Sequence, residues 1–79
     1  MDDYAKYEKT FVDCFGVEKG DVSTLEYQSI SSWDSVAHMT LVATIEEVFE
    51  ITMDIDDIID FSSFDNGREI LRERYGVAI

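Results

Sequence analysis

The chain has 79 residues, enough for one small domain whose single hydrophobic core is only just sufficient. Its hydrophobic content of 46% is typical of a globular fold, and its 18 acidic against 6 basic residues disfavour nucleic acid and anionic membranes as partners. A lone cysteine excludes an internal disulfide, and no apolar run approaches the roughly 20 residues of a membrane span, so we expect a cytoplasmic protein.

The first predicted element is a helix with an aromatic face. Tyr4, Tyr7, Phe11 and Phe15 recur at spacings of three and four, and Gly16 is a natural C-cap. In a chain this acidic, such a stripe indicates a core face and not a platform on which bases stack.

A long connection without clear periodicity follows, from residue 17 to residue 32. Its apolar residues Val22, Leu25, Tyr27 and Ile30 are too many for a free linker. Long loops of this kind usually pack through their own side chains, so we expect this one to lie across the helices. Leu25 is the first candidate for a core contact and Ile30 the second.

The strongest helical pattern spans residues 34–50. Asp34 precedes the first periodic residue as an N-cap does, which places Ser35 in the first helical turn near the positive end of the helix dipole. This turn is a rigid, solvent-facing position where a serine can carry a phosphate ester. The predicted apolar stripe consists of Val36, Met39, Val42, Ile45 and Phe49, widened by Leu41 and Val48.

Two shorter elements complete the predicted fold. Residues 54–60 form a short helical turn whose inward side chains are Ile55, Ile58 and Ile59. Ser62 or Ser63 caps a last helix, which ends at Gly76. We therefore predict one all-α domain over residues 1–79, a four-helix bundle with a short third helix and a long loop between helices one and two.

Metal binding and catalysis both fit the residues poorly. The run from Asp54 resembles a calcium-binding loop, but Ile59 stands where that loop needs glycine and Asp65 where it needs glutamate. Ser35 and His38 lie three residues apart on one helix, yet no G-x-S-x-G elbow accompanies them. We interpret His38, the one histidine, as an exposed helix residue, and we predict neither a metal site nor an enzyme.

The helix that begins at residue 35 carries a resemblance to a known family. Residues 34–49 resemble the D-S-L…L…I-E-E-x-F pattern of acyl carrier proteins. The matching residues are Asp34, Ser35, Val36, Met39, Leu41, Val42, Ile45, Glu46, Glu47, Val48 and Phe49. The similarity continues through Met53, Ile58, Phe61, Phe64, Ile70 and Leu71. The first helix fits as well, so the resemblance covers essentially the whole chain and implies the fold of that family.

The resemblance implies a covalent cofactor on Ser35, a 4′-phosphopantetheine arm that a magnesium-dependent phosphopantetheinyl transferase takes from coenzyme A. The arm ends in a thiol that holds acyl or aminoacyl groups as thioesters and lets one cargo visit several enzymes at high effective concentration. The protein would then be a stand-alone, monomeric carrier. Val36 replaces the family's usual leucine, and with Trp33 it resembles the discrete carriers of specialised pathways.

Acidic side chains dominate the middle of the chain. Between Lys19 and Arg68 there is no lysine or arginine, whereas eleven carboxylates fall in that interval. Such a surface would attract loading and transferring enzymes that have basic docking faces. The predicted docking residues are Asp34, Val36, Met39, Glu46, Glu47, Asp54, Asp56 and Asp57. The alternatives are an unmodified acidic adaptor that binds a basic partner through residues 34–60, and a regulatory phosphoserine at Ser35.

Overall fold

The computed structural model describes residues 2–79, which form an all-α fold, as predicted. Its elements are α1 (Asp3–Phe15), a 3₁₀ helix (Lys19–Thr24), α2 (Ser35–Phe49), α3 (Ile55–Asp60) and α4 (Phe64–Arg74). The described residues contain no β-strand, and one isolated antiparallel bridge joins Glu26 to Ser63. None of the described helices combines the length and the apolar character that a membrane crossing requires.

The three longest helices begin at side-chain caps. Asp2, Asp34 and Ser63 precede α1, α2 and α4, and each accepts a hydrogen bond from the backbone N–H three residues further on, at 2.8, 2.8 and 2.9 Å. Helix α1 ends at Gly16, whose φ of 67° is the left-handed conformation that glycine adopts without strain. The predicted caps Asp34, Ser63 and Gly16 are therefore confirmed.

Aromatic rings fill the centre of the fold. The ring centroids of Tyr7, Phe11 and Phe64 lie 4.7 to 5.0 Å from one another. Trp33 approaches Phe11 edge-on at 5.6 Å, and Phe61 stacks against the same ring at 6.3 Å. All five side chains are at most 1% exposed. The predicted aromatic face of α1 is therefore a core face.

The connection between α1 and α2 is more regular than its sequence pattern indicates. Residues 17–32 are expected to form a loop, but six of them form the 3₁₀ helix. A 3₁₀ helix repeats every three residues, so Val22 and Leu25 lie on one side, and both are buried. Ile30 packs at the edge of the core. The loop therefore crosses the helices as predicted, through a turn that helical periodicity did not reveal.

Two backbone hydrogen bonds attach this connection to the start of α4. Tyr27 N donates to Ser62 O at 2.8 Å, and Phe64 N donates to Leu25 O at 2.9 Å. Because the bonded residues are far apart in sequence, these bonds hold the connection across one end of the helices. The connection then leads directly into the buried Trp33.

The predicted apolar stripe of α2 is wrong at its start. Leu41, Val42 and Ile45 are buried, but Val36 and Met39 are 75% and 54% exposed. Val36 and Ile45 are nine residues apart, which is about two and a half helical turns, so their side chains leave α2 on opposite sides. Val36 and Met39 therefore belong to the surface.

The orientation of α3 also differs from the prediction. Ile55 and Ile59 are 73% and 72% exposed, Ile58 is half-buried, and the residue that α3 turns fully inward is Asp57, 3% exposed. The buried carboxylate of Asp57 has two partners near the end of α4, the Tyr75 hydroxyl and the Arg74 guanidinium, and a charge can be buried only with such partners. The expectation that all three isoleucines point inward is wrong.

Gly67 on α4 lets the ring of Phe61 pack against the helix backbone. A Cβ built at Gly67 would overlap the ring of Phe61, which is 1% exposed. A Cβ built at Gly20, in the 3₁₀ helix, would meet nothing within 4 Å.

Gly67→Ala is expected to lower the free energy of unfolding by about 1–3 kcal/mol, because the added methyl group must displace the Phe61 ring. The sign is opposite to the stabilisation of ~1 kcal/mol that alanine brings at an exposed helical glycine. Chemical denaturation measures the difference, and Gly20→Ala is the control, with an expected change below about 0.5 kcal/mol. A Gly67→Ala protein as stable as the wild type would contradict the contact.

The buried phenol of Tyr7 makes the fold less stable at alkaline pH. Its hydroxyl donates to Phe64 O at 2.7 Å. Burial raises the pKa of Tyr7 well above its ordinary value of 10.0, and the charge of Asp65 acts in the same direction. The neutral phenol contributes its full stabilisation below pH 10.0, the pKa that it has in the unfolded chain. This contribution is lost as the pH rises toward and through the higher pKa that it has in the folded protein.

The free energy of unfolding should therefore fall as the pH rises above 10.0, and it should fall less steeply for Tyr7→Phe. Denaturant unfolding of both proteins on either side of that pH measures the difference between them. Parallel pH profiles for wild type and Tyr7→Phe would show that this phenol does not resist ionisation.

Candidate functional site

Ser35 is the first residue of α2, and its side chain is exposed. Asp34 fixes this turn through two of its oxygens. Its Oδ1 accepts a hydrogen bond from Ala37 N, and its backbone carbonyl accepts one from His38 N, each at 2.8 Å. The carboxylate thereby satisfies an N–H group that a helix start leaves free. Ser35 is therefore held at a rigid corner with its hydroxyl accessible from solvent.

A hydrogen-bonded chain of three residues connects the segment before Ser35 to α2 and α3. Trp33 Nε1 donates to His38 Nδ1 at 3.0 Å, and His38 Nε2 lies 2.9 Å from Ile58 O. Since Nδ1 accepts, this network assigns the imidazole proton to Nε2, which donates to the Ile58 carbonyl. The interpretation of His38 as an exposed helix residue is wrong, because the half-buried ring joins the connection, α2 and α3.

A groove between α2 and α3 begins at Ser35 and encloses about 370 Å³; we call it the Ser35 groove. The exposed side chains of Met39 from α2, Ile59 from α3 and Tyr27 from the connection line it. Its floor is formed by the buried Phe61 and the half-buried His38 and Ile58. The groove is partly open to solvent.

Exposed apolar side chains surround this groove. We call Val36, Met39, Ile55 and Ile59 the apolar patch; all four are more than half exposed. Each helix contributes a pair at helical spacing, and Met39 and Ile59 both line the Ser35 groove. Exposed apolar patches on small proteins mark contact surfaces. Ile55 and Ile59 are not predicted from the sequence as surface residues, and no local spacing indicates it, because the inward turn of Asp57 between them depends on the distant Tyr75.

The predicted acidic docking residues divide into two groups. The exposed ones are Asp34, Glu47, Asp54 and Asp56. Glu46 is half-buried, and its Oε2 accepts from Met53 N at 2.8 Å, which secures the segment after α2. Asp57 is buried and cannot meet a partner, so it leaves the docking set.

Asp57 fixes α3 to the end of α4. Its Oδ2 accepts from the Tyr75 hydroxyl at 2.6 Å, and its Oδ1 lies 3.3 Å from Arg74 Nε. The same Tyr75 oxygen accepts from Asp54 N at 2.8 Å, just before α3 begins. These contacts set the orientation of α3 and, with it, the position of Ile59 on the Ser35 groove.

The geometry around Ser35 bears on the catalytic and metal-binding alternatives. Both ring nitrogens of His38 are engaged, with Trp33 and Ile58, so neither is available to activate Ser35. Within residues 2–79, no three histidine, cysteine, aspartate or glutamate side chains are grouped so that they could hold a metal ion. The arrangement therefore offers a positioned hydroxyl that His38 does not activate.

The chain matches no family model, no curated protein and no solved structure. The candidate site is defined by the arrangement of its residues. It consists of the exposed Ser35, the Ser35 groove and the apolar patch with its exposed carboxylates.

Asp57→Asn is expected to lower the free energy of unfolding by about 1–3 kcal/mol, because the Tyr75 hydroxyl loses a charged acceptor and Arg74 its counter-ion. Asp56→Asn, an exposed neighbour on the same helix, is the matched control and should change stability by less than about 0.5 kcal/mol. Thermal and denaturant unfolding measure both. Equal stability of the two variants would contradict the buried position of Asp57.

Proposed function

We propose that this protein is a stand-alone carrier that holds acyl or aminoacyl groups as thioesters on a 4′-phosphopantetheine arm attached to Ser35. The observation that carries the proposal is the placement of Ser35, exposed in the first turn of α2 at the start of an apolar groove. A transferase can reach such an exposed hydroxyl. Residues 34–49 also have the D-S-L-like pattern of acyl carrier proteins.

We also propose that the chain has the fold of the acyl carrier proteins. A short third helix and a long connection between the first two α-helices are the features that the acyl carrier resemblance implies. Helices α1 to α4 would then be the four-helix bundle of that family, with the 3₁₀ helix as part of the connection. A location in the cytoplasm is part of the same proposal.

The residues at the start of α2 fit a phosphate-linked arm. The arm, when bound, supplies a thiol that holds cargo as a thioester. The helix N-terminus favours a phosphodiester by ~0.3–1 kcal/mol. An exposed Asp34 carboxylate at about 6 Å opposes it by about 0.7 kcal/mol in water. Since these effects nearly cancel, the role of Asp34 is to cap the helix and to contact a partner. Ser35 supplies a positioned oxygen that the transferase must activate.

The partners in this proposal are the transferase and the enzymes that load and unload the arm. The apolar patch would supply the buried contact, and the exposed carboxylates Asp34, Glu47, Asp54 and Asp56 would steer a basic face toward it. Among the described residues, none of these four carboxylates has an ion-pair partner within the chain. They are therefore free to pair with cations of another protein.

The second candidate function is an unmodified acidic adaptor that uses the same surface. The apolar patch and the exposed carboxylates favour it as much as they favour a carrier, because neither requires a group on Ser35. The two functions differ at one atom, Ser35 Oγ. A carrier loses its function when that oxygen is removed, whereas an adaptor still binds its partner.

Incubation with coenzyme A, magnesium and a promiscuous phosphopantetheinyl transferase should raise the intact mass by one phosphopantetheine group. Ser35→Ala should abolish the increase, because the attacking oxygen is gone. Ser31→Ala removes a nearby exposed serine and is the matched control, with full modification expected. A wild-type protein that several such transferases leave unmodified, or a Ser35→Ala protein that still gains the mass, would contradict the proposal.

A further inference from the structure

We propose that the carried acyl chain stays outside the fold, and that His38 is the residue that excludes it. The inference rests on the proposed attachment of the arm to Ser35. It names the cargo class of that site: short or polar acyl groups, such as aminoacyl groups, and not long alkyl chains that need shelter from water.

The Ser35 groove is the route by which a chain attached at Ser35 would pass between α2 and α3. At its floor, the imidazole of His38 crosses from one helix to the other. Its Nε2 lies 2.9 Å from the backbone oxygen of Ile58 on α3, and its Nδ1 accepts from Trp33 Nε1 at 3.0 Å. The two helices are therefore joined by a hydrogen bond at the point where a chain would have to enter.

The space behind His38 is already filled by aromatic rings. Trp33 is fully buried, stacks on Phe15 at 5.0 Å and meets Phe11 edge-on at 5.6 Å. Phe61 packs edge-on against the imidazole at 6.1 Å. A protein interior packed in this way has no spare volume for an alkyl chain unless rings move.

Entry of a chain would also leave polar groups without partners. Displacing His38 removes the acceptor of the buried Trp33 N–H and the donor to the Ile58 carbonyl. Buried polar groups that lose their hydrogen bonds are costly, and an alkyl chain can replace neither bond. The chain would therefore lie along the open groove, where it remains in contact with water, and a long chain gains little protection there.

The single tryptophan reports directly on entry, because Trp33 lies immediately behind His38. The transferase would load the wild-type protein with octanoyl or with ω-bromooctanoyl groups from the corresponding coenzyme A thioesters. Bromine quenches indole fluorescence on contact. We expect equal Trp33 emission from the two wild-type forms, and a loss of emission in bromooctanoyl His38→Ala, where the shortened side chain opens the floor of the groove.

Two variants serve as controls. His38→Gln retains an amide donor for the Ile58 carbonyl and should keep the chain out, so its emission should match the wild type. Thr40→Ala truncates an exposed residue of the same helix and should leave emission unchanged as well. Circular dichroism confirms that each loaded variant is helical before its emission is compared.

Quenching in the loaded wild type would overturn the exclusion of the chain, whether or not any variant folds. Unquenched emission from a folded, loaded His38→Ala protein would overturn the assignment of exclusion to His38. Failure of the proposed function looks different, because intact mass would show that no group had been attached to Ser35 before any fluorescence is measured.

Discussion

The hydrogen bond from the Trp33 indole to His38 connects the hydrophobic core to the exposed serine. Trp33, Asp34 and Ser35 are consecutive, and each has a different environment. The indole is fully buried, the carboxylate caps α2, and the serine lies in solvent. Because the indole anchors the backbone two residues before Ser35 and His38 anchors it three residues after, the hydroxyl is placed by packing on both sides. The rigidity of this corner is therefore a property of the core.

The sequence was sufficient for features that depend on local spacing and failed where distant partners decide. The cap at Asp34 and the aromatic face of α1 follow from near neighbours along the chain, and both are found. The inward turn of Asp57 depends on Tyr75, eighteen residues away, so helical spacing alone places Ile55 and Ile59 on the wrong side of α3. The role of His38 was missed because its second partner is a backbone carbonyl of α3, which has no sequence signature.

The same contacts that stabilise the fold define which surface remains for partners. Glu46 and Asp57 are committed to internal bonds, whereas Asp56 and Glu47 beside them are exposed. The inward turn of Asp57 also directs Ile55 outward, on the same side of α3 as Ile59. Apolar contact area flanked by unpaired carboxylates suits transient binding to basic proteins, since charges accelerate encounter and a small patch permits release. Within the proposed carrier function, these properties match a protein that must visit several enzymes in turn.

The most direct measurement is the intact mass of the protein isolated from the cells that make it, followed by fragmentation of the peptide that contains Ser35. This measurement requires no choice of transferase and no assumption about cargo. The carrier function predicts a mass raised by one phosphopantetheine group, located on Ser35, with or without an acyl group on its thiol. A chain without any group on Ser35, or with a bare phosphate there, would contradict it.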